Sequence, residues 1–221
     1  GYTISGLVGR GGLLSCLGPD GEIRNMTVSG NISGEVNIGG IADTSKGLIQ
    51  NCAFEGSVTN SASSGSTGGI VGRAMTGNRI ISCTSSADIS NTCTSYNSQL
   101  NMGGIAGHTY GAVESCYFTG TVSAGEDRPN STSGLKAVAE NSGTDNSAAV
   151  TSETMKSGRF AWDLGEAYNQ DTDDINSGYP VLKWQGGSEP EVPEFEQAIA
   201  KDIAALFMKD MRRAKELAAE K

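Results

Sequence analysis

The side chains best able to do chemistry in this sequence of 221 residues are five cysteines and a single histidine. Cys52, Cys83 and Cys116 stand at the same place in a repeated phrase, which puts them in one structural column. A zinc site needs four convergent ligands, and one histidine with a ladder of thiols does not supply them. We therefore predict that these three thiols are reduced and buried, and we expect no cofactor or metal. Cys16 and Cys93 fall in insertions, where a disulfide between them is the open alternative.

A second group of candidates is a basic row that follows a glycine-rich phrase. Arg10, Arg73 and His108 occupy equivalent positions after that phrase, with Thr44 interrupting them. If the phrases stack on one another, these residues form a partly basic rim, a possible ligand site for a carboxylate or sulfate of a glycan. The alternative is a set of solvated turn residues, because exposed charges usually contribute little.

Acidic side chains are the third group. Asp171, Asp173, Asp174 and Asn176 crowd one loop and offer the oxygen ligands that calcium prefers, but they do not follow the EF-hand order of ligands. A solvated acidic loop is therefore the favoured interpretation. Elsewhere acids are isolated along the repeats, so the sequence predicts no aligned carboxylate pair for acid–base catalysis and no catalytic residues.

Composition and charge exclude several classes of protein. The sequence has 31 glycines, and 25 acids against 16 Lys and Arg give a formal net charge of −9. A nucleic-acid partner would require a basic face, which this balance does not provide. The sequence contains no run of about 20 apolar residues, so we expect no membrane-spanning helix.

Many of the glycines belong to a phrase that we find four times in residues 1–125. The copies begin at Gly6, Gly39, Gly68 and Gly103, and the third reads Gly-Gly-Ile-Val-Gly. Double glycines in successive units are unfavourable for a helical repeat. A second phrase follows each copy, and in it apolar and polar residues alternate with the period of a strand.

Equivalent positions of the second phrase define inward columns of side chains. One repeat cannot bury its apolar face alone, so successive repeats must stack in register, with strands about 4.8 Å apart. The sequence therefore predicts an all-β fold, a parallel β-solenoid (β-helix) of about four to five coils. The predicted columns are Ile23, Ile49, Ile80 and Val113; Met26, Cys52, Cys83 and Cys116; Val28, Phe54, Ser85 and Phe118; Gly30, Gly56, Ala87 and Gly120; and Ile32, Val58, Ile89 and Val122.

These phrases resemble the GLUG repeat of bacterial surface proteins, which was first noted beside IgA-specific metallopeptidases. The resemblance rests on Gly-Gly-Ile-Val-Gly, on Cys-Tyr-Phe-Thr-Gly-Thr-Val and on a closing segment at 151–184 that contains Gly-Tyr-Pro-Val-Leu-Lys-Trp. It covers roughly residues 1–186, with Asp43, Ser85 and the insertion around Cys93 as departures. The resemblance implies an extracellular protein, secreted or attached to the cell surface. It brings no active site, because the peptidase motif HExxH requires two histidines.

Changes in composition divide the chain into three regions. Residues 1–125 hold the GLUG-like repeats, 126–187 form a closing segment with a loop, a short helix and a final strand, and 188–221 hold a linker and a long amphipathic C-terminal α-helix. We expect this helix to pack on the solenoid of its own chain or, failing that, to join a second copy in a homo-oligomer. Its apolar face consists of Phe195, Ile199, Ile203, Leu206, Phe207, Met211, Ala214 and Leu217.

The closing segment has its own local signals. Ser152 is a suitable N-cap for the short helix, whose apolar side is formed by Phe160, Ala161 and Leu164. Residues 179–184 are typical of a last strand, which we expect to cover the final coil.

These features favour a non-catalytic extracellular module that acts as a stalk or as a scaffold for adhesion or ligand binding. Its expected partners are host or cell-surface glycans or proteins, without nucleic acid and without a membrane span. The alternative is a β-helical polysaccharide-active enzyme, a lyase or hydrolase. An ice-binding surface would require regular threonine rows, whereas Thr119 is matched by Ser29, Glu55 and Ser86 in the other repeats.

Overall fold

The computed structural model describes residues 1–94, 100–124, 131–132 and 136–192, together with residues 194, 197 and 201. This part of the chain is dominated by short strands. In chain order they are β1 (Tyr2–Arg10), β2 (Leu14–Leu17), β3 (Glu22–Gly34), β4 (Asn37–Gly39), β5 (Ala42–Ser45), β6 (Leu48–Asn60), β7 (Gly65–Gly68), β8 (Val71–Ala74), β9 (Arg79–Ile81), β10 (Thr84–Ser85), β11 (Asp88–Asn91), β12 (Leu100–Gly103), β13 (Ala106–Thr109), β14 (Ala112–Glu114), β15 (Tyr117–Phe118), β16 (Val122–Ala124), β17 (Ser131–Thr132), β18 (Val138–Asn141), β19 (Thr144–Asp145), β20 (Ala148–Ala149), β21 (Tyr168–Asn169) and β22 (Val181–Leu182), with helices α1 (Ser152–Met155) and α2 (Gly158–Leu164) between β20 and β21.

Three parallel sheets make up the body of the molecule. The first sheet has 11 strands and contains β1, β3, β6 and their successors. The second follows the order β17-β12-β7-β4 and the third the order β18-β13-β8-β5-β2. From β4 onward each repeat contributes strands to all three sheets, so that successive repeats lie on one another. The strand-rich, parallel arrangement agrees with the predicted all-β class.

The predicted register is confirmed where the strands pair. Ile49 pairs with both Ile23 and Ile80, and Ile80 pairs in turn with Val113. Most of the column side chains are fully buried and belong to one hydrophobic cluster. Ser85 pairs with Phe54 on one side. The spacing of identical residue types along the chain therefore identified side chains that stack on one another.

The two glycines of the phrases that begin at Gly39, Gly68 and Gly103 have different structural roles. A Cβ on the first glycine would meet the carbonyl oxygen three residues later, across the tight turn that joins the second sheet to the third. A Cβ on the second glycine would meet a side chain of the Phe54 column. These second-glycine pairs are Gly40 with Phe54, Gly69 with Ser85 and Gly104 with Phe118. The glycine phrase thus packs directly against the strand phrase, because its second glycine leaves room for the side chains of the Phe54 column.

A sharp bend interrupts the first sheet just before the cysteine column. Asn25, Asn51, Ser82 and Ser115 stand at this bend with φ of 54, 52, 49 and 50°. Asparagine tolerates the left-handed region better than most residues. Nδ2 of Asn51 also donates a hydrogen bond of 3.1 Å to Oδ1 of Asn25, one repeat away. This bend explains why Asn or Ser precedes Cys or Met in every copy.

The first glycine phrase lies elsewhere than we predicted. Leu14 pairs with Ala42, which makes Gly11 and Gly12 the equivalents of the double glycine that begins at Gly39. The predicted copy at Gly6 belongs to β1, which pairs with β3. Its residues Gly-Leu-Val-Gly resemble the glycine phrase in sequence, but they lie in a strand of the first sheet.

Parallel pairing continues beyond residue 125. Strands β17, β18, β19 and β20 pair with β12, β13, β14 and β15. The stack therefore extends to Ala149, into the region predicted as the loop of the closing segment.

The remainder of the closing segment packs on the outer face of the first sheet. Oη of Tyr168 donates a hydrogen bond of 2.8 Å to the carbonyl of Ser82, and the rings of Tyr117 and Phe160 meet edge to face at 4.7 Å. Strand β22 pairs with β21 in antiparallel orientation. The prediction that the last strand covers the final coil is therefore wrong, because its partner is the neighbouring β21.

Two helices replace the single short helix that we expected. The N-cap of α1 is Thr151, whose side chain accepts the backbone N–H of Thr154, while Oγ of the predicted cap Ser152 hydrogen-bonds Oη of Tyr179 at 2.8 Å. Ala161 and Leu164 on α2 are buried as predicted.

The predicted C-terminal helix falls on residues that lie almost entirely outside the described part of the chain. Of the helices that are described, none has the length and apolarity needed to cross a membrane.

Candidate functional site

The third sheet carries a row of polar side chains at equivalent positions. Arg73 pairs with Thr44 on one side and with His108 on the other, and His108 pairs with Glu140. Cys16 stands at the start of the row, in the position predicted for Arg10. The structure thus brings together two of the three residues predicted for the rim.

Arg10 lies apart from this row. It pairs with Ser33 in the first sheet, and its Nη2 is 3.5 Å from Oε1 of Glu35 on the protein surface. The prediction placed it in the rim because Gly6 and Gly9 imitate the glycine phrase. Any ligand that spans Arg73 and His108 would therefore not include Arg10 as the next member of the row.

Tyr110 connects Arg73 with His108. Nη2 of Arg73 donates a hydrogen bond of 3.1 Å to Oη of Tyr110, and the Cζ atom of Arg73 is 5.4 Å from the tyrosine ring centroid. The rings of Tyr110 and His108 stack at 4.3 Å with an angle of 29°. Nε of Arg73 is buried without a hydrogen-bond partner among the described residues. The guanidinium is thus engaged by Tyr110, while its Nε–H has no acceptor among the described residues.

His108 is nearly closed off from solvent, with 10% of its side chain exposed. Its Nδ1 is 3.6 Å from Oε2 of Glu140, and its Nε2 is 3.3 Å from Oγ of Ser142. Burial lowers the pKa of His108, the Glu140 carboxylate opposes that shift and Arg73 adds to it. The imidazole is consequently neutral at pH 7. The row therefore places a basic Arg73, a neutral His108 and an acidic Glu140 side by side, and it does not form a uniformly basic rim. Anion binding by Arg73 and His108 stays a prediction.

Three members of this network, Tyr110, Glu140 and Ser142, were not predicted from the sequence. Tyr110 carried a signal, since it follows His108 by two residues, the spacing that places side chains on one face of an extended chain. Glu140 and Ser142 carried none, because the segment around them has no recognisable copy of either phrase. Glu140 is held in place by Nδ2 of Asn101, which donates to its Oε2 at 2.6 Å.

The cysteine column has the geometry of a buried structural ladder. Cys52, Cys83 and Cys116 have no exposed surface, and each thiol lies 3.2–3.3 Å from the carbonyl oxygen two residues earlier. A hydrogen bond with Cys83 and burial raise the pKa of Cys52, and burial raises the pKa of Cys83. The prediction that these thiols are buried is confirmed. The described structure has no disulfide between Cys16 and Cys93.

The acidic loop is organised by one carboxylate. Asp171 accepts backbone N–H bonds of 2.9, 2.8 and 2.8 Å from Ile175, Asn176 and Gly178. Slight burial raises the pKa of Asp171, but these N–H bonds outweigh it and the net shift is downward. Its oxygens therefore serve the loop backbone. Within the described ranges, no group of three or more His, Cys, Asp or Glu side chains is arranged to hold a metal ion.

In-register parallel repeats, joined by double-glycine turns over a column of buried side chains, define a protein of stacked β-repeats. The family model of the GLUG motif matches residues 98–123. The chain therefore contains a GLUG motif, as its repeated phrases indicated. The matched stretch includes the double glycine at Gly103, His108 and Cys116, and it spans strands of the first, second and third sheets. No curated protein and no solved structure matches the chain.

Proposed function

We propose that this chain is a non-catalytic β-solenoid module of a bacterial surface or secreted protein, where it serves as a stalk or as a scaffold for adhesion and ligand binding. The observation that carries the proposal is the continuous register between repeats, best seen where β3 pairs with β6 from Glu22 with Leu48 to Gly34 with Asn60. Repeats that contact mainly their sequence neighbours form extended, regular surfaces, which suit a spacer or a display scaffold.

The outward polar residues of the first sheet support the same proposal. Several of them hydrogen-bond their equivalents in the next repeat and so stabilise the stack. These pairs are Ser57 with Asn31 at 2.9 Å, Thr59 with Ser90 at 3.0 Å and Thr121 with Asp88 at 2.7 Å. A surface hydroxyl or amide that hydrogen-bonds the next repeat holds neighbouring repeats in register, as a regular scaffold requires.

The cysteine column is compatible with an extracellular location. A buried thiol with a raised pKa contains little thiolate and reacts slowly with oxidants. Cys52, Cys83 and Cys116 are buried, a hydrogen bond with Cys83 and burial raise the pKa of Cys52, and burial raises the pKa of Cys83. Together with the GLUG motif, this supports a protein that functions outside the cytoplasm.

Turnover of polysaccharides separates the scaffold from the β-helical enzyme. The full chain is incubated with polygalacturonate and with a glycosaminoglycan panel, and a known lyase serves as the positive control. We expect no product release above the level of a heat-denatured sample. Steady, enzyme-dependent product release would establish catalysis and overturn the proposal.

Location is tested on the source bacterium with an antibody raised against the chain. We expect labelling of intact, unpermeabilised cells or recovery of the antigen from the culture medium. An antigen detected only after lysis, with a cytoplasmic marker as the control, would contradict the extracellular assignment.

A further inference from the structure

We propose that the closing segment holds a binding site for a neutral hexose unit of a glycan. The site is a pocket between α2 and the chain that follows β22. This inference rests on the proposed scaffold function and gives it a ligand class and a location. The site is distinct from the row of Arg73 and His108, where the sequence left an anionic ligand open as a hypothesis beside solvated turn residues.

The pocket has a volume of about 340 Å³, which lies within the range of small-molecule sites. Its walls come from three places: the end of α2, the turn into β21, and the segment that follows β22. The lining includes Trp162, Glu166, Lys183, Glu189, Pro190 and Val192.

An apolar platform forms one part of the pocket. Trp162 is 37% exposed and Val192 38% exposed, although both are large apolar side chains, and Pro190 lies beside them. The axial C–H groups of a hexose ring present a flat apolar face of matching size. Packing that face on an indole removes apolar surface from water on both partners.

Charged groups of both signs surround this platform. Nζ of Lys183 is 3.1 Å from Oε1 of Glu189, and Glu166 adds a second carboxylate. A sugar hydroxyl both donates and accepts, so it can bond a carboxylate and an ammonium group within one ring. Two carboxylates against one ammonium disfavour a uronic acid or a sulfated sugar. The chemistry therefore favours a neutral ligand.

The pocket is attached to the stack by specific hydrogen bonds. Tyr168, at the back of the pocket, is 1% exposed and bonds the carbonyl of Ser82. The backbone N–H of Lys183 donates to the carbonyl of Ala167 at 2.9 Å. A site held in this way loses little conformational freedom when a ligand binds, which favours affinity.

The test uses the two tryptophans of the chain. Trp184→Phe leaves Trp162 as the single tryptophan, and this variant is titrated with maltose, cellobiose, lactose and N,N′-diacetylchitobiose. We expect a saturable change in Trp162 emission with at least one of these sugars. In calorimetry with that sugar, Trp162→Ala should weaken binding about tenfold or more, since truncating an aromatic anchor commonly costs that much. Glu166→Ala should weaken it as well.

Trp184 provides the matched control. It is 43% exposed and lies in the same segment, but it does not line the pocket, so Trp184→Phe should bind the sugar like the unchanged protein. Circular dichroism and thermal melting of each variant identify any loss of folding. A correctly folded Trp162→Ala protein that binds the sugar with unchanged affinity overturns the site.

Two further outcomes also overturn it. One is binding of heparin or polygalacturonate oligomers in preference to all four neutral sugars. The other is a change in Trp162 emission when residues 193–221 are removed, with no response to any sugar, which would assign the pocket to the chain's own C-terminal segment. Neither outcome bears on the scaffold function, which turnover and surface labelling test separately.

Discussion

Cys83 lies between Cys52 and Cys116, and its backbone N–H is 3.3 Å from Sγ of Cys116. Such a position makes a thiol a packing group: it is small, apolar and surrounded by equivalents of itself. The same residue type has another character at the surface. Cys16 is exposed at the start of the polar row of the third sheet.

Thiol titration should separate these two kinds of cysteine. In the native protein, Ellman's reagent should label Cys16 rapidly and Cys93 more slowly, because Cys16 is exposed and Cys93 is half-buried. The other three should react only in denaturant, because their side chains are buried and the reagent cannot reach them in the folded protein. The Cys16→Ser, Cys93→Ser double variant is the control and should remain unlabelled when native. Rapid labelling of that variant would show that the column is accessible.

The second glycine of each phrase gives a direct test of packing. An added methyl group in Gly104→Ala would enter the ring of Phe118, so we expect destabilisation of about 1–3 kcal/mol, as in other overpacked cores. Gly18→Ala is the matched control, because a Cβ there meets nothing within 4 Å. Urea denaturation measures both variants. Equal stability of the two variants would mean that the turn and the aromatic column do not pack as described.

At the level of elements, docking of the closing segment on the first sheet covers a carboxylate. Glu55 lies on the outer face of β6 and lines a small cavity with Met155, Tyr179 and Pro180. Burial raises the pKa of Glu55 above its ordinary value of 4.5. The proton is therefore bound more tightly in the folded state than in the unfolded state, and ionisation of Glu55 weakens folding.

The pH dependence of stability follows from that sign. Because the folded-state pKa is the higher one, the stabilising contribution is complete below about pH 4.5 and is lost as the pH rises through the folded-state value. Glu55→Gln should therefore raise Tm at pH 7 relative to the unchanged protein, and the difference should diminish in acid. The exposed Glu191→Gln variant makes the same change in charge and should leave Tm nearly unchanged. An equal gain at pH 4 and pH 7 would contradict this explanation.

The elements also show what the sequence could and could not predict. The columns through Ile49 and Cys83 were predictable, because stacking forces equivalent positions to share one environment and therefore similar residues. The position of Arg10 was not predictable, because residues 6–9 of β1 have the sequence pattern of the glycine turn. Only the strand pairing shows where that turn lies. Docking of the closing segment was equally hidden: its apolar residues indicated burial, but no periodicity specifies which surface buries them.

In the whole molecule, the predicted C-terminal helix lies almost entirely outside the described residues. The described residues that precede it show where the chain can be cut. Gln170 and Ser188 exchange two backbone hydrogen bonds of 2.9 and 3.0 Å, and Val192 lines the pocket, so truncation should follow Val192.

Removing residues 193–221 should lower Tm or solubility if the segment covers apolar surface of its own chain. Apolar surface exposed by the deletion lowers stability by about 25 cal/mol per Å² and promotes association. Thermal melting and sedimentation of the two proteins provide the measurement. A truncated protein that melts at the same temperature and stays monomeric would show that the segment serves something other than this stack.

The path of the closing segment affects how the protein unfolds on heating or under mechanical force. Simple stacks of repeats contact only their neighbours, so they fray coil by coil from either end. Here one segment reaches Thr27 through Gln185, Ser82 through Tyr168, and Tyr117 through Phe160, which belong to different repeats. The segment therefore connects three repeats directly, and its release weakens contacts in each of them. Loss of structure in these repeats should therefore be cooperative, and a pulling force applied along the stack should be shared among them.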